Sequence, residues 1–249
     1  MLIIADIGIN HDGNMNLAHE LIRQAAINGA DIVKFQAYSV DALFGPNGTD
    51  PNEEIYKGVK PLEFNEKQFE QLKKWCEQEN IEFMCSVFDE ERFWWMEKLE
   101  VRRHKIASRT SKLTRDLALK MVETGKPCYM SLGFNSPPFD KYYSNLHYLY
   151  CVAEYPTEYD RINMPNEYYA NYNPEKDEHI EYEGFSDHSI GIEASLVAAA
   201  RGATIIEKHF TLDKSAKGFD HICSITPDEL RDLAKYAKLM SKVTKIMRQ

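Results

Sequence analysis

Residues 182–224 read YEGFSDHSIGIEASLVAAARGATIIEKHFTLDKSAKGFDHICS. An apolar run leads to His188, and a β-branched run, ATIIEKHF, carries His209 near its end. Between them Ile192, Leu196, Val197 and Ala200 recur at helical spacing before Gly202 stops the helix. The segment is therefore a strand, a helix and a strand. In a parallel barrel built of such units the C-terminal ends of all strands share one face, which places His188 and His209 side by side at the mouth. Two neutral imidazoles converging there can hold a divalent metal and leave positions for water or substrate. A single buried histidine more often just hydrogen-bonds its neighbours. Two at equivalent strand ends, each with a carboxylate nearby (Asp187, Glu207), favour the metal.

The same alternation runs through the rest of the chain. LIIADIGIN is a predicted strand, MNLAHELIRQAAINGA its helix up to Gly29, and DIVKFQA the second strand. The Pro/Gly/Asn-rich residues 43–61 are read as a long loop, and NEKQFEQLKKWCEQEN as a helix with Phe69, Leu72, Trp75 and Cys76 on its apolar face. IEFMCSVF, RRHKIAS, KPCYMSLG and LHYLYCVAEYP supply strands three to six. DEERFWWMEKLE is a helix whose Phe93, Trp94 and Trp95 are expected in the core, and SKLTRDLALKMVETG a helix capped at Ser111 or Thr114 and stopped at Gly125. FNSPPFDKYYSN, with adjacent prolines, is too short for a full fifth helix. Residues 158–181 are read as a helix or an irregular excursion. TPDELRDLAKYAKLMSKVTKIM closes the chain as a helix with Thr226 as N-cap and acids in its first turn. Eight strands alternating with helices in 249 residues point to an α/β fold, a single-domain (β/α)8 TIM barrel spanning residues 1–249.

A hydrophobic content of 43% suffices for one such core, and the formal charge of −9 argues against nucleic acid or an anionic membrane as a partner. The five cysteines, Cys76, Cys85, Cys128, Cys151 and Cys223, are odd in number and contain no CxxC pair, as expected of reduced thiols in a cytoplasmic protein. No basic leader and no apolar run of about 18 residues is present to target the chain to a membrane.

FSDHS, GIEASLVAAA, IIEKHFTLDKSAKGFDH and ITPDEL resemble the sialic acid synthase (N-acetylneuraminate synthase) family, the enzymes that condense phosphoenolpyruvate with an amino sugar. The resemblance continues through residues 4–36 and through KIAS, KPCYMSLG and YPTEY, in the family's order, and is poorest from about Asn135 to Leu149. It implies a metal-assisted, carbon–carbon bond-forming transferase in carbohydrate biosynthesis. The product would be a nonulosonic, 2-keto-3-deoxy acid. The metal on His188 and His209 would be Mn²⁺ or Mg²⁺, since only two protein ligands are evident.

Phosphoenolpyruvate is a compact trianion and needs cations and hydroxyl donors around it. Lys34 and Lys105 are each the lone base of an apolar strand, where a lysine is costly unless it meets an anion or snorkels to the surface. The resemblance places both on the family's phosphoenolpyruvate-binding lysines. It also matches Ser86, Ser108, Ser131 and Ser186 to hydroxyls around that ligand, and Tyr155, Glu207 and Asp220 to contacts with the sugar. Asp6 stands where the family usually has Glu, as a candidate to handle protons of water or aldehyde, although it could simply cap the following turn.

Two departures fall on the sugar side: Thr110, after Arg109, replaces a family acid, and Ala153 replaces a family Asn. They point to retained condensation chemistry with an altered acceptor. Most members also carry a small C-terminal antifreeze-like domain that covers the partner's site in a dimer, whereas this sequence ends with the eighth helix. The expected arrangement is a homodimer closed by its own loops, at residues 43–61 and 158–181, or by a separately encoded cap. The alternatives are an inactive sugar-binding barrel and a metal-dependent aldolase or isomerase on the same fold.

Overall fold

Alternation of apolar side chains along short β-branched strands puts one set inside a ring and the other against helices. The computed structural model describes residues 1–44, 53–168 and 182–247, and its strands pair in parallel, in sequence order, into a closed eight-membered barrel. The order is β1 (Leu2–Gly8), α1 (Met15–Ile27), β2 (Ile32–Ala37), α2 (Val40–Phe44), α3 (Glu53–Val59), α4 (Glu66–Gln78), β3 (Glu82–Val87) and α5 (Glu90–Lys98). It continues with β4 (His104–Ile106), α6 (Ser108–Leu113), α7 (Arg115–Glu123), β5 (Cys128–Ser131), β6 (Leu146–Cys151), β7 (Gly184–Asp187), α8 (Glu193–Ala200), β8 (Ile205–His209) and α9 (Pro227–Met247). The ring closes where β1 pairs with β8, Asp6 opposite His209.

Inside the ring, Ile4, Ile32, Met84, Tyr129, Leu149 and Ile205 form an apolar layer, with Leu2 against it. Two residues further along the same strands stand Asp6, Lys34, Ser86, Ser131, Cys151 and Glu207, all buried. Period two thus stacks a polar belt directly on an apolar plug. The residues between, among them Ile3, Ala5, Val33, Phe35, Phe185 and Ile206, face outward into the main core beneath the helices.

Several expectations need correction. Residues 43–61 are not one loop: α2, α3 and a 3₁₀ turn at Lys60–Leu62 occupy much of that stretch, and residues 45–52 lie outside the described residues. Of the second closing segment, 158–181, residues 169–181 lie outside them too, and the described part holds a 3₁₀ turn at Tyr159–Arg161. The helix expected from Ser111 is two helices, α6 and α7; Thr114 does stand at the N-cap of α7, but its side chain makes no cap hydrogen bond. The Ser111 hydroxyl instead donates to the carbonyls of Ser108 and Ser131. On α8 the buried face is Ala194, Ser195, Ala198 and Ala199, leaving Val197 exposed, because small side chains let the helix lie close to the sheet. Of the aromatic trio, Phe93 is core and Trp95 packs against it, but Trp94 is exposed. No helix forms between β5 and β6. All five cysteines are free and buried, and among the described residues no helix is long and apolar enough to cross a membrane.

Candidate active site

The polar belt is a chain of charged hydrogen bonds. Lys34 Nζ lies 2.7 Å from Asp6 Oδ2 and donates to Ser86 Oγ at 3.0 Å. Lys105 Nζ donates to Ser131 Oγ at 2.8 Å and lies 3.4 Å from Glu207 Oε1, which also accepts from Ser186 Oγ at 2.9 Å. The lone bases of β2 and β4 therefore already face anions, the carboxylates of β1 and β8. Each carboxylate keeps one oxygen without a partner: Asp6 Oδ1 and Glu207 Oε2 are buried and make no hydrogen bond.

These surroundings separate the two lysines. For Lys34, burial would lower the pKa, but the carboxylates of Asp6 and Glu207 outweigh it and the net shift is upward. For Lys105, burial dominates; Glu207 opposes it, Lys34 reinforces it, and the pKa falls below the ordinary lysine value. Burial would raise the Asp6 carboxyl, yet Lys34 and His209 together hold it below its usual range.

Above the belt stand the two histidines, ring centroids 5.5 Å apart. His188 Nδ1 lies 2.8 Å from the Val152 carbonyl. A carbonyl can only accept, so Nδ1 carries the proton and Nε2 keeps its lone pair. Burial, reinforced by His209, lowers the His188 pKa to about 3, so the ring is neutral. His209 Nδ1 is buried without a hydrogen bond, 3.5 Å from Asp6 Oδ2. The free Nε2 of the neutral His188 ring, the His209 ring and the orphaned oxygen of Asp6 offer nitrogen and oxygen donors of the kind that suit a divalent cation. Among the described residues no group of three or more His, Cys, Asp or Glu forms a metal site.

The carboxylates next to the histidines in sequence do not orient them as expected. Neighbours along a strand point to opposite faces, so Asp187 turns outward and pairs with Lys208 at 3.1 Å. Glu207 faces inward but serves Lys105 and Ser186. Val152 and Asp6 are the actual neighbours of the two rings.

All twelve residues singled out from the sequence line one cavity of about 410 Å³: Asp6, Lys34, Ser86, Lys105, Ser108, Ser131, Tyr155, Ser186, His188, Glu207, His209 and Asp220. Ser108 Oγ accepts from Gly133 N at 3.1 Å and approaches Cys151 Sγ at 3.3 Å. The Tyr155 ring lies over His188, centroids 4.1 Å apart. Thr110 is not in the wall, its hydroxyl donating to the Val87 carbonyl at 3.1 Å. Sequence reasoning missed Gln36, Arg109, Phe134 and Phe219, which line the same space. Gln36 was within reach, since it follows Lys34 at the strand period; the other three sit beyond strand ends, where periodicity gives no signal.

This arrangement has relatives. The NeuB family model matches residues 21–247. The chain belongs to the NeuB family. It is 33% identical to the N,N'-diacetyllegionaminic acid synthase of Legionella pneumophila, over 94% of this chain and 70% of that protein. It is 31% identical to the human N-acetylneuraminate-9-phosphate synthase, over 96% of this chain and 70% of that protein. Among solved structures, the N-acetylneuraminic acid (sialic acid) synthetase of Leptospira borgpetersenii in complex with citrate superposes with a TM-score of 0.85 at 33% identity, covering 97% of this chain and 84% of that one. The Leptospira protein shares the barrel, and the two sequence relatives are named as synthases.

Proposed function

We propose that the protein condenses phosphoenolpyruvate with an open-chain amino-sugar aldehyde, giving a nonulosonic 2-keto-3-deoxy acid and inorganic phosphate. The observation that carries this reading is the buried belt, in which two lysines and three serine hydroxyls share one cavity with two carboxylates that each keep an unpartnered oxygen. Such donors suit a compact trianion.

In this reading Lys34, Lys105, Ser86 and Ser131 hold the carboxylate and phosphate of phosphoenolpyruvate and point its C3 toward the cavity mouth. C3 attacks the aldehyde carbon, forming the new C–C bond; water adds at C2; the C2–O bond then breaks and phosphate leaves with the electron pair. Asp6, held ionised beside Lys34, accepts a proton from the attacking water; the two protons of that water end on the former aldehyde oxygen and, as the C2 hydroxyl becomes the ketone, on the departing phosphate. Ser108 and Ser186 complete the hydroxyls around phosphoenolpyruvate, and Tyr155, Glu207 and Asp220 flank the acceptor. His188 and His209 would hold Mn²⁺ or Mg²⁺, which when bound polarises an aldehyde oxygen. Residues 1–249 act as one catalytic unit in this reading, as a cytoplasmic homodimer.

The test is phosphate release from phosphoenolpyruvate across a panel of six-carbon amino-sugar aldehydes, with and without Mn²⁺. Release that requires both substrates and the cation is the expected result. Sugar binding without release from any member of the panel would support an inactive barrel, and turnover of sugar without phosphoenolpyruvate would support an aldolase or isomerase.

A further inference from the structure

We propose that Arg109 selects an acceptor sugar whose far end is anionic, a phosphate monoester or a carboxylate; the inference rests on the synthase reading of the same cavity. Its basis is the pairing of charges around the wall. The cavity is lined by three cationic side chains, Lys34, Lys105 and Arg109. Lys34 is paired with Asp6 and Lys105 with Glu207. Among the described residues no carboxylate pairs with Arg109, although Asp220 lines the same cavity.

What holds Arg109 is neutral. Its guanidinium lies over the Phe44 ring, 5.3 Å from the centroid, and one terminal nitrogen donates to the Leu43 carbonyl at 3.0 Å. A guanidinium offers five N–H donors in a planar fork matched to carboxylate or phosphate oxygens. The Phe44 and Leu43 contacts fix its orientation while leaving donors for a ligand, and partial burial strengthens any ion pair it makes.

Position separates this cation from the belt. Lys34 and Lys105 are buried deep between strands, whereas Arg109 lies in α6, after the end of β4, half-buried and tied to the end of α2. With the compact trianion held in the belt, Arg109 is left for the more distant end of the second substrate. Asp220, a carboxylate at the same mouth, suits the hydroxyl donors of a polyol. The wall is therefore built for a sugar with one charged terminus.

The experiment compares a 2-acetamido-2-deoxyhexose, its 6-phosphate and the matching 6-carboxylate, by calorimetry on the whole chain with phosphoenolpyruvate bound. The wild type should bind one or both anionic sugars about 10- to 100-fold more tightly than the neutral one, the scale of a charge-assisted contact. Arg109→Gln should erase that preference while leaving the neutral sugar and phosphoenolpyruvate unchanged, and Arg109→Lys should retain part of it. The preferred anion, phosphate or carboxylate, names the substrate class. Equal binding of all three sugars by the wild type overturns the proposal, as does a loss in Arg109→Gln that falls equally on the neutral sugar. Weakened phosphoenolpyruvate with unchanged sugars would instead assign Arg109 to the belt, and also overturns it. Arg109-dependent binding of an anionic sugar without phosphate release from phosphoenolpyruvate would sink the synthase reading and leave the selectivity standing.

Discussion

Around strands β7, β8 and β1 lie two buried charge clusters on opposite faces of the sheet, and they differ in how completely their polar atoms are satisfied. Outward, Asp187 pairs with Lys208; its Oδ1 accepts from Ser189 N and Oγ, its Oδ2 accepts from Ser195 Oγ, and Lys208 also donates to the Ser189 carbonyl. Inward, Asp6 Oδ1, Glu207 Oε2 and His209 Nδ1 have no hydrogen-bond partner. A buried polar atom left unpaired costs about 1–3 kcal/mol, so a fold keeps several together only where something else satisfies them. The outer cluster fastens the two strands to α8; the inner one is shaped for a ligand. Because Asp187 and Lys208 directly precede His188 and His209, the outer pair also fixes the spacing of the two rings.

Lys208→Met attacks the satisfied cluster and should have the largest effect, about 3–5 kcal/mol of stability, because it strands the buried Asp187 carboxylate. Urea unfolding measures it, and adding Asp187→Asn should recover part of the loss. A loss under about 1 kcal/mol would erase the distinction between the two faces. Lys34→Met attacks the unsatisfied cluster and should weaken phosphoenolpyruvate binding by about 1.5–3 kcal/mol, the scale of hydrogen bonds to charged groups; calorimetry on the folded variant that returns wild-type affinity would remove Lys34 from the ligand site. His188→Ala should reduce Mn²⁺ affinity at least about tenfold, near 1.4 kcal/mol, read by metal titration without substrate. Lys208→Met, by loosening the ring spacing, should lower the same affinity by a smaller factor.

The smallest effect is a proton count. Burial depresses the Lys105 pKa, so in the alkaline range below the ordinary 10.5 the unfolded chain binds more protons than the fold, and ligand-free stability rises with pH there. An incoming anion raises that pKa again. Phosphoenolpyruvate binding should therefore take up a fraction of a proton in this window and weaken as pH rises through it, as seen by calorimetry in buffers of different ionisation enthalpy. No uptake would place Lys105 away from the anion.

Period two made the belt legible, since it fixes which residues along each strand share a face, and Lys34 and Lys105 announce themselves by interrupting apolar runs. The same rule, applied to neighbours, turns Asp187 away from His188, so adjacency in sequence is not adjacency in space here. The inner face of α8 escapes hydropathy, which ranks Leu196 and Val197 above alanine, whereas close approach to a sheet rewards small volume. Lys34 meets Asp6 through the register of the neighbouring strands β1 and β2, whereas the pairing of Lys105 on β4 with Glu207 on β8 reaches across the ring, which no local pattern encodes. Arg109 escaped because its role depends on Leu43 and Phe44, sixty-odd residues upstream.

The helix-free crossover from β5 to β6 has a consequence for how such a barrel diverges. One side chain of α7 holds its middle: Arg115 donates to the carbonyls of Pro137 and Pro138 at 2.9 and 3.0 Å and lies 4.5 Å from the Phe139 ring centroid. The same crossover presents Phe134 to the cavity. Closing a longer loop costs only about 0.6 kcal/mol per doubling of length, and no packed helix stands here to be displaced. Insertions and deletions at this point can therefore reshape one wall of the cavity while the strand ring and its belt of charges stay as they are, so descendants of this barrel could exchange acceptors by drift in a single connection.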